Sequence, residues 1–202
     1  MTEQGPPARL TTLPNMLGLA RIVATPVVMA LLLLLPFAGA GLIGFAVFTV
    51  AAMTDYFDGR IARARGQVTP LGVFLDLTAD KVLAAGVLIA MVQVDLLPSW
   101  IVATLLIREL VVAGIRQLAA SANVVIPARG LGKWKAFATN LAIGALLLAF
   151  DAQSGGPLTG LNFTVEFQLI GGWLALLAAL LAVASAWDYL KGALPILLGR
   201  ER

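Results

Sequence analysis

Four aspartates, Asp55, Asp58, Asp76 and Asp80, stand inside or at the ends of long apolar runs of this 202-residue chain. A carboxylate within a bilayer core costs about 2.5–3.5 kcal/mol on insertion scales, so four of them call for a chemical reason. Asp55 and Asp58 are three residues apart and Asp76 and Asp80 four apart, so on helices each pair shares one face. Two such faces closing on each other crowd four negative charges into low dielectric, where shared protons or bound cations are the remedies. The chain has no Cys and no His, which removes disulfides, thiolate or imidazole metal sites and any His general base. An all-oxygen cage suits hard ions such as Mg²⁺, Mn²⁺ or Ca²⁺, with room for two. The bland reading makes these acids ion-pair partners of Arg60, Arg63, Arg65 and Lys81. Matched depth and facing spacing favour the cage over it.

The elements that position them follow from composition. Sixty per cent of the residues are apolar, 12 % are charged, and the mean hydropathy is +0.94. A water-soluble fold cannot hide that much apolar surface, and a disordered chain cannot stay solvated with so little charge. Six windows of bilayer length emerge, approximately Asn15 to Pro36, Gly41 to Arg63, Thr69 to Val94, Pro98 to Ala122, Gly130 to Phe150 and Phe167 to Leu190. Lipid offers no partner for unpaired backbone groups and the windows show no strand-like alternation, so each is a helix. The expected fold is an all-α polytopic membrane protein with six transmembrane helices in one bundle. A surface segment (1–14), a six-helix catalytic domain (15–190) and a cytoplasmic tail (191–202) are its expected parts.

Depth brings the acids together. Counted from Leu42 at about 1.5 Å per residue, Asp58 lies roughly 24 Å down the second span, about 6 Å short of the boundary. Asp76, counted inward from Pro70, is about 9 Å from that same boundary on the returning span. Basic residues mark which side it is. Arg9, Arg60, Arg63, Arg65, Arg129, Lys133, Lys135, Lys191, Arg200 and Arg202 all fall at one set of span ends, and the connections 37–40, 95–97 and 151–166 carry no Lys or Arg. The positive-inside rule places both termini and the basic loops in the cytoplasm. An inner (cytoplasmic) membrane location is expected.

Other features carry less. Arg9, the apolar run from Ile22 to Leu35 and the small residues Ala38, Gly39 and Ala40 have some likeness to a cleaved leader, but Arg21 interrupts that pattern. Pro26 can kink the first span, and Gly39, Gly41 and Gly44 can allow close helix contact. Asp95, Asp151, Glu166 and Asp188 lie near helix ends or in loops and read as solvated groups.

The run Asp55-Tyr-Phe-Asp58-Gly59-Arg-Ile-Ala62-Arg63, continued by Gly72, Asp76 and Asp80, resembles the complete signature of the CDP-alcohol phosphotransferases. Leu13-Pro14-Asn15 with Arg21, Arg108-Glu109 with Arg116, and Gly132-Lys133-Trp134-Lys135 resemble the phosphatidylglycerophosphate synthase branch of that family. The resemblance covers roughly Leu13 to Leu148. It implies a six-helix bundle, a homodimer and a polar cavity open to the cytoplasm, in which an alcohol attacks the lipid-linked phosphorus of a CDP-activated lipid and expels CMP. It implies two divalent ions, Mg²⁺ or Mn²⁺, held by Asp55, Asp58, Asp76 and Asp80, with Asp80 also the general base. Gly59 and Gly72 would admit the nucleotide, Arg63 and Thr69 would contact the diphosphate, and Asn15 the nucleotide end. CDP-diacylglycerol and membrane lipids are the implied partners, with no nucleic acid. Gly18 and Ala136 depart from the branch, each where Thr is common.

The acceptor is read from the cations. Arg108 and Arg116 are eight residues apart, pointing within about 80° of each other on a helix, and a guanidinium fork suits a phosphate dianion. Glu109 and Arg116 are nearly in line, so an Arg116–Glu109 pair is the bland alternative. Lys133 and Lys135 add charge at the cytoplasmic mouth of the fifth span. A phosphorylated acceptor is favoured: sn-glycerol 3-phosphate first, inositol phosphate next, with phosphatidylglycerol as a further acceptor of the same chemistry. An ion or proton transporter is the rival class, but the acids are confined to one hairpin and accompanied by placed glycines.

Overall fold

A computed structural model of the chain describes residues 13–35, 37–64, 70–121, 124, 130–161 and 164–197, the side chains of 13, 14, 55–64, 70, 73, 76, 161 and 195–197 excepted. Among them are six α-helices and no strand: α1 Leu13–Leu33, α2 Ala40–Ala64, α3 Pro70–Gln93, α4 Ser99–Ser121, α5 Gly130–Gln153 and α6 Thr164–Leu197, with a 3₁₀ turn at Thr159–Leu161 before α6. Each helix begins or ends within a few residues of the expected window, except that α6 runs past Leu190 to Leu197.

Three helices are long and apolar enough to cross a membrane by length and composition, at Asn15–Leu33, Gly130–Gln153 and Thr164–Leu194. The described apolar stretch of α2 is Ala40–Thr54. Charged residues interrupt the apolar sequence of the other two helices, Asp80 and Lys81 on α3 and Arg108, Glu109 and Arg116 on α4. Many large apolar side chains point outward, among them Val23, Leu34, Val50, Leu110, Trp134 and Trp173, as a lipid-facing surface requires.

Successive helices alternate in direction. Gly18 and Thr25 of α1 meet Leu75 and Gly86 of α3 in the same sense, so these two run parallel, whereas Gly41 and Gly144 bring α2 and α5 together antiparallel. Contact is most extensive between α5 and α6, then between α1 and each of α3 and α2, and α4 lies on α6. The core is aliphatic: Val28, Leu83, Val87, Met91, Ile143, Leu146 and Leu147 are fully buried. Ala175, Ala178, Ala179 and Ala182 give α6 the small-residue face that lets it pack closely.

The turns away from the basic end are tightly built. Ala40 N–H bonds the Phe37 carbonyl at 2.9 Å around Gly39 (φ 100°), so the expected glycine here serves a turn. After α3, Leu96 N–H reaches back to the Met91 carbonyl and Asp95 N–H to that of Val92, with Asp95 left-handed (φ 57°), a Schellman closure whose buried Leu96 packs into the core.

One sequence expectation is overturned. Asp151, taken as solvated, is completely buried. Its carboxylate accepts the Leu42 N–H in the first turn of α2 at 3.1 Å and the Leu158 N–H at 3.2 Å. A carboxylate at a helix N-terminus satisfies an orphan donor and opposes the helix dipole. Gly41 and Gly156 make the room, since a Cβ on either would overlap the Asp151 backbone or its carboxylate. Asp95 and Glu166 are exposed as expected, and Asp188 is half-buried.

Candidate active site

The four aspartates all fall within regular helix, Asp55 and Asp58 in the second half of α2 and Asp76 and Asp80 in the first half of α3. Their three- and four-residue spacings therefore hold each pair to one helix face. Asp80 and Gly72 are half-buried, and Asp80 is engaged with its surroundings. The side chains of Asp55, Asp58, Arg63 and Asp76 and the surroundings of Gly59 lie outside the described residues, as does Thr69 altogether.

Helix α1 supplies the wall beside them. Asn15, Gly18, Arg21 and Thr25 share one buried stripe, with Asn15 and Arg21 each only 1 % exposed. A Cβ at Gly18 would lie 3.0 Å from the Leu75 Cβ, a tight contact, so the glycine eases the close approach of α1 to α3. Arg21, to which the sequence reading gave no role, has the largest of the fully buried side chains. Its signal was an arginine in the middle of an otherwise apolar span.

The cations form a second cluster, built by α4, α5 and α6. Arg108 donates from Nη1 to Glu109 Oε1 at 2.8 Å and from Nε to Ser185 Oγ at 3.1 Å. Lys135 Nζ donates to the same Glu109 oxygen at 2.7 Å. Arg116 Nη2 donates to the Tyr189 hydroxyl, so it is Arg108 and Lys135 that Glu109 pairs with, and the in-line Arg116–Glu109 pair does not form. Gly132, at the start of α5, lies beside this cluster: a Cβ there would sit 3.4 Å from Arg108 Nη2, an ordinary contact. Lys133 is exposed and about 200° round the helix from Lys135, outside this cluster. Ser185 and Tyr189 were not foreseen, because a Ser and a Tyr in an apolar helix carry no charge signal.

Three cations against one carboxylate leave two positive charges, the complement of a phosphate dianion. Arg116 lies about 8 Å in from the Ser121 end of α4, and Lys135 about 8 Å in from the Gly130 end of α5. Both are at the end of the bundle that carries the aspartates. An apolar groove of about 1000 Å³ runs between α2, α5 and α6, lined by Phe45, Phe48, Met53, Phe137, Leu141 and Phe167 among others. Its α2 wall reaches Met53, two residues before Asp55.

Comparison with known proteins agrees with this layout. The sequence model of the CDP-alcohol phosphatidyltransferase family matches residues 11–184. The CDP-diacylglycerol–glycerol-3-phosphate 3-phosphatidyltransferase of Bacillus subtilis (strain 168) is 38 % identical over 178 residues, 80 % of this chain and 91 % of the relative. The enzyme of the same name from Rickettsia bellii (strain RML369-C) is 33 % identical over 182 residues, covering 89 % and 93 %. A CMP-forming cardiolipin synthase of Oryza sativa subsp. japonica is 32 % identical over 93 % of this chain, but only 61 % of that protein is covered. With the signature aspartates on α2 and α3 and a match spanning most of its length, the chain belongs to the CDP-alcohol phosphatidyltransferase family.

Proposed function

We propose that this membrane protein is a phosphatidyltransferase that moves the phosphatidyl group of CDP-diacylglycerol to sn-glycerol 3-phosphate, giving phosphatidylglycerophosphate and CMP. The observation that carries the choice of acceptor is the Arg108–Lys135–Arg116 cluster, whose net charge of two matches a phosphomonoester and has no use for a neutral alcohol. The relatives named for this reaction, each covered over most of its length, support the same acceptor.

The residues divide the work. Asn15, Gly59, Arg63, Thr69 and Gly72 receive the CDP headgroup, while an acyl chain lies in the apolar groove that reaches Met53. Arg108, Arg116 and Lys135 hold the acceptor phosphate, and Lys133 adds positive field at the rim. Asp80 takes the proton of the acceptor hydroxyl as its oxygen bonds to the lipid-linked phosphorus and the bond to CMP breaks. Positioning and charge stabilisation are nearly all that phosphoryl-type substitution asks of a protein. The donor set fits hard divalent ions, being four carboxylates on the same-end stretches of α2 and α3 with no sulfur or imidazole in the chain. Mg²⁺ or Mn²⁺ held by Asp55, Asp58, Asp76 and Asp80 would neutralise charge on the diphosphate.

The basic span ends put the site and both termini on the cytoplasmic side of an inner membrane. The working unit is read as a homodimer, on the family resemblance. The test is CMP release by purified protein in liposomes containing CDP-diacylglycerol, comparing glycerol 3-phosphate, inositol phosphate, serine and phosphatidylglycerol as acceptors with and without Mg²⁺ or Mn²⁺. Release that depends on glycerol 3-phosphate and on the metal is expected. Turnover with phosphatidylglycerol alone would replace the proposal with cardiolipin synthesis.

A further inference from the structure

Two residues of α6 hold the arginines of α4, and nothing in the signature of the chain points to them. Ser185 and Tyr189 are four apart, on one face of α6, and are 2 % and 4 % exposed. Ser185 Oγ donates to the Ala182 carbonyl at 3.0 Å, which leaves its lone pairs for Arg108 Nε. The Tyr189 hydroxyl accepts from Arg116. The Tyr189 ring lies 5.8 Å from the Arg108 guanidinium carbon and 5.1 Å from that of Arg116, so both cations share one aromatic ring. On α4 the same two arginines are about 12 Å apart along the axis. The α6 pair anchors both guanidinium groups to one ring and one hydroxyl, and their like charges repel unless an anion compensates them.

We infer that Ser185 and Tyr189 are positioning residues that set the separation and aim of Arg108 and Arg116, and so restrict the acceptor to a phosphomonoester. The inference rests on the acceptor reading given above. Two hydroxyls and an aromatic ring hold the two guanidinium groups without contributing charge, leaving their remaining N–H groups for the phosphate oxygens. A neutral polyol leaves the gathered charge uncompensated and is rejected on that ground.

The experiment uses the full chain in liposomes and three variants: Tyr189→Phe, Ser185→Ala with Tyr189→Phe, and Arg116→Gln. The double variant is expected to raise KM for glycerol 3-phosphate about tenfold, with KM for CDP-diacylglycerol and kcat at saturating acceptor changed by less than about twofold. Tyr189→Phe, which keeps the ring, should give a smaller rise and keeps the test open if the double variant folds poorly. The inference is overturned if KM for glycerol 3-phosphate stays at the wild-type value in both, or if both substrates' KM values rise together with a fall in thermal midpoint. Arg116→Gln separates the two ideas. An unchanged KM there refutes the acceptor reading itself, whereas a raised KM with unaffected α6 variants refutes only the role of α6.

Discussion

The two ends of the bundle hold acidic residues in different settings. At the end without basic residues, Asp151 is sealed off, and each carboxylate oxygen has a backbone N–H of its own, from Leu42 and from Leu158. At the other end, Asp55, Asp58, Asp76 and Asp80 lie on two neighbouring helices, with one another as near neighbours in sequence and depth. The first arrangement consumes its charge locally and joins α2, α5 and the loop before α6. The second accumulates charge that folding alone has no reason to gather. Asp151 is thus structural, because the backbone supplies its donors, whereas the α2–α3 aspartates have the helical spacing proposed for a chemical site.

The contrast can be broken by substitution. Asp80→Asn is expected to lower kcat by about 10³-fold, the loss typical of removing a general base, with little change in thermal midpoint because the amide keeps the shape of the carboxylate and an acceptor oxygen. Initial rates of CMP release and a detergent-solubilised melt read the two effects. Arg116→Gln should raise KM for glycerol 3-phosphate at least tenfold, one charge-assisted hydrogen bond being worth roughly 1.5–3 kcal/mol. Asp151→Ala should do the reverse of Asp80→Asn: two buried N–H groups lose their acceptor, at about 2–4 kcal/mol together, while the folded fraction keeps its turnover. Denaturant or thermal unfolding followed by activity per folded protein checks this. Smallest is Leu141→Trp, which narrows the apolar groove. About a two- to threefold rise in KM for long-chain over short-chain CDP-diacylglycerol is expected, read by competition between the two lipids.

The helices were legible because membrane spans announce themselves by length and by the segregation of Lys and Arg. The α2–α3 aspartates were legible because charge inside an apolar run is conspicuous and its spacing is local. What escaped was tertiary. Asp151 looked like a loop acid, since its donor at Leu42 is 109 positions away in sequence. Helical phase put Arg116 in line with Glu109, but Tyr189 on α6 takes the guanidinium instead, and no pattern within α4 contains that fact. At Gly18 the sequence shows only a lost hydroxyl, whereas the structure adds the tight approach of the Leu75 Cβ.

The central claim is that the α2–α3 aspartates form a divalent-metal site, and Mn²⁺ titration of metal-stripped protein followed by electron paramagnetic resonance tests it most directly. The account predicts saturable binding of two ions by the wild-type chain, loss of at least one in Asp58→Asn and in Asp76→Asn, and wild-type binding in Asp151→Asn. Equal Mn²⁺ uptake by all of these proteins, or none by the wild type, would contradict it.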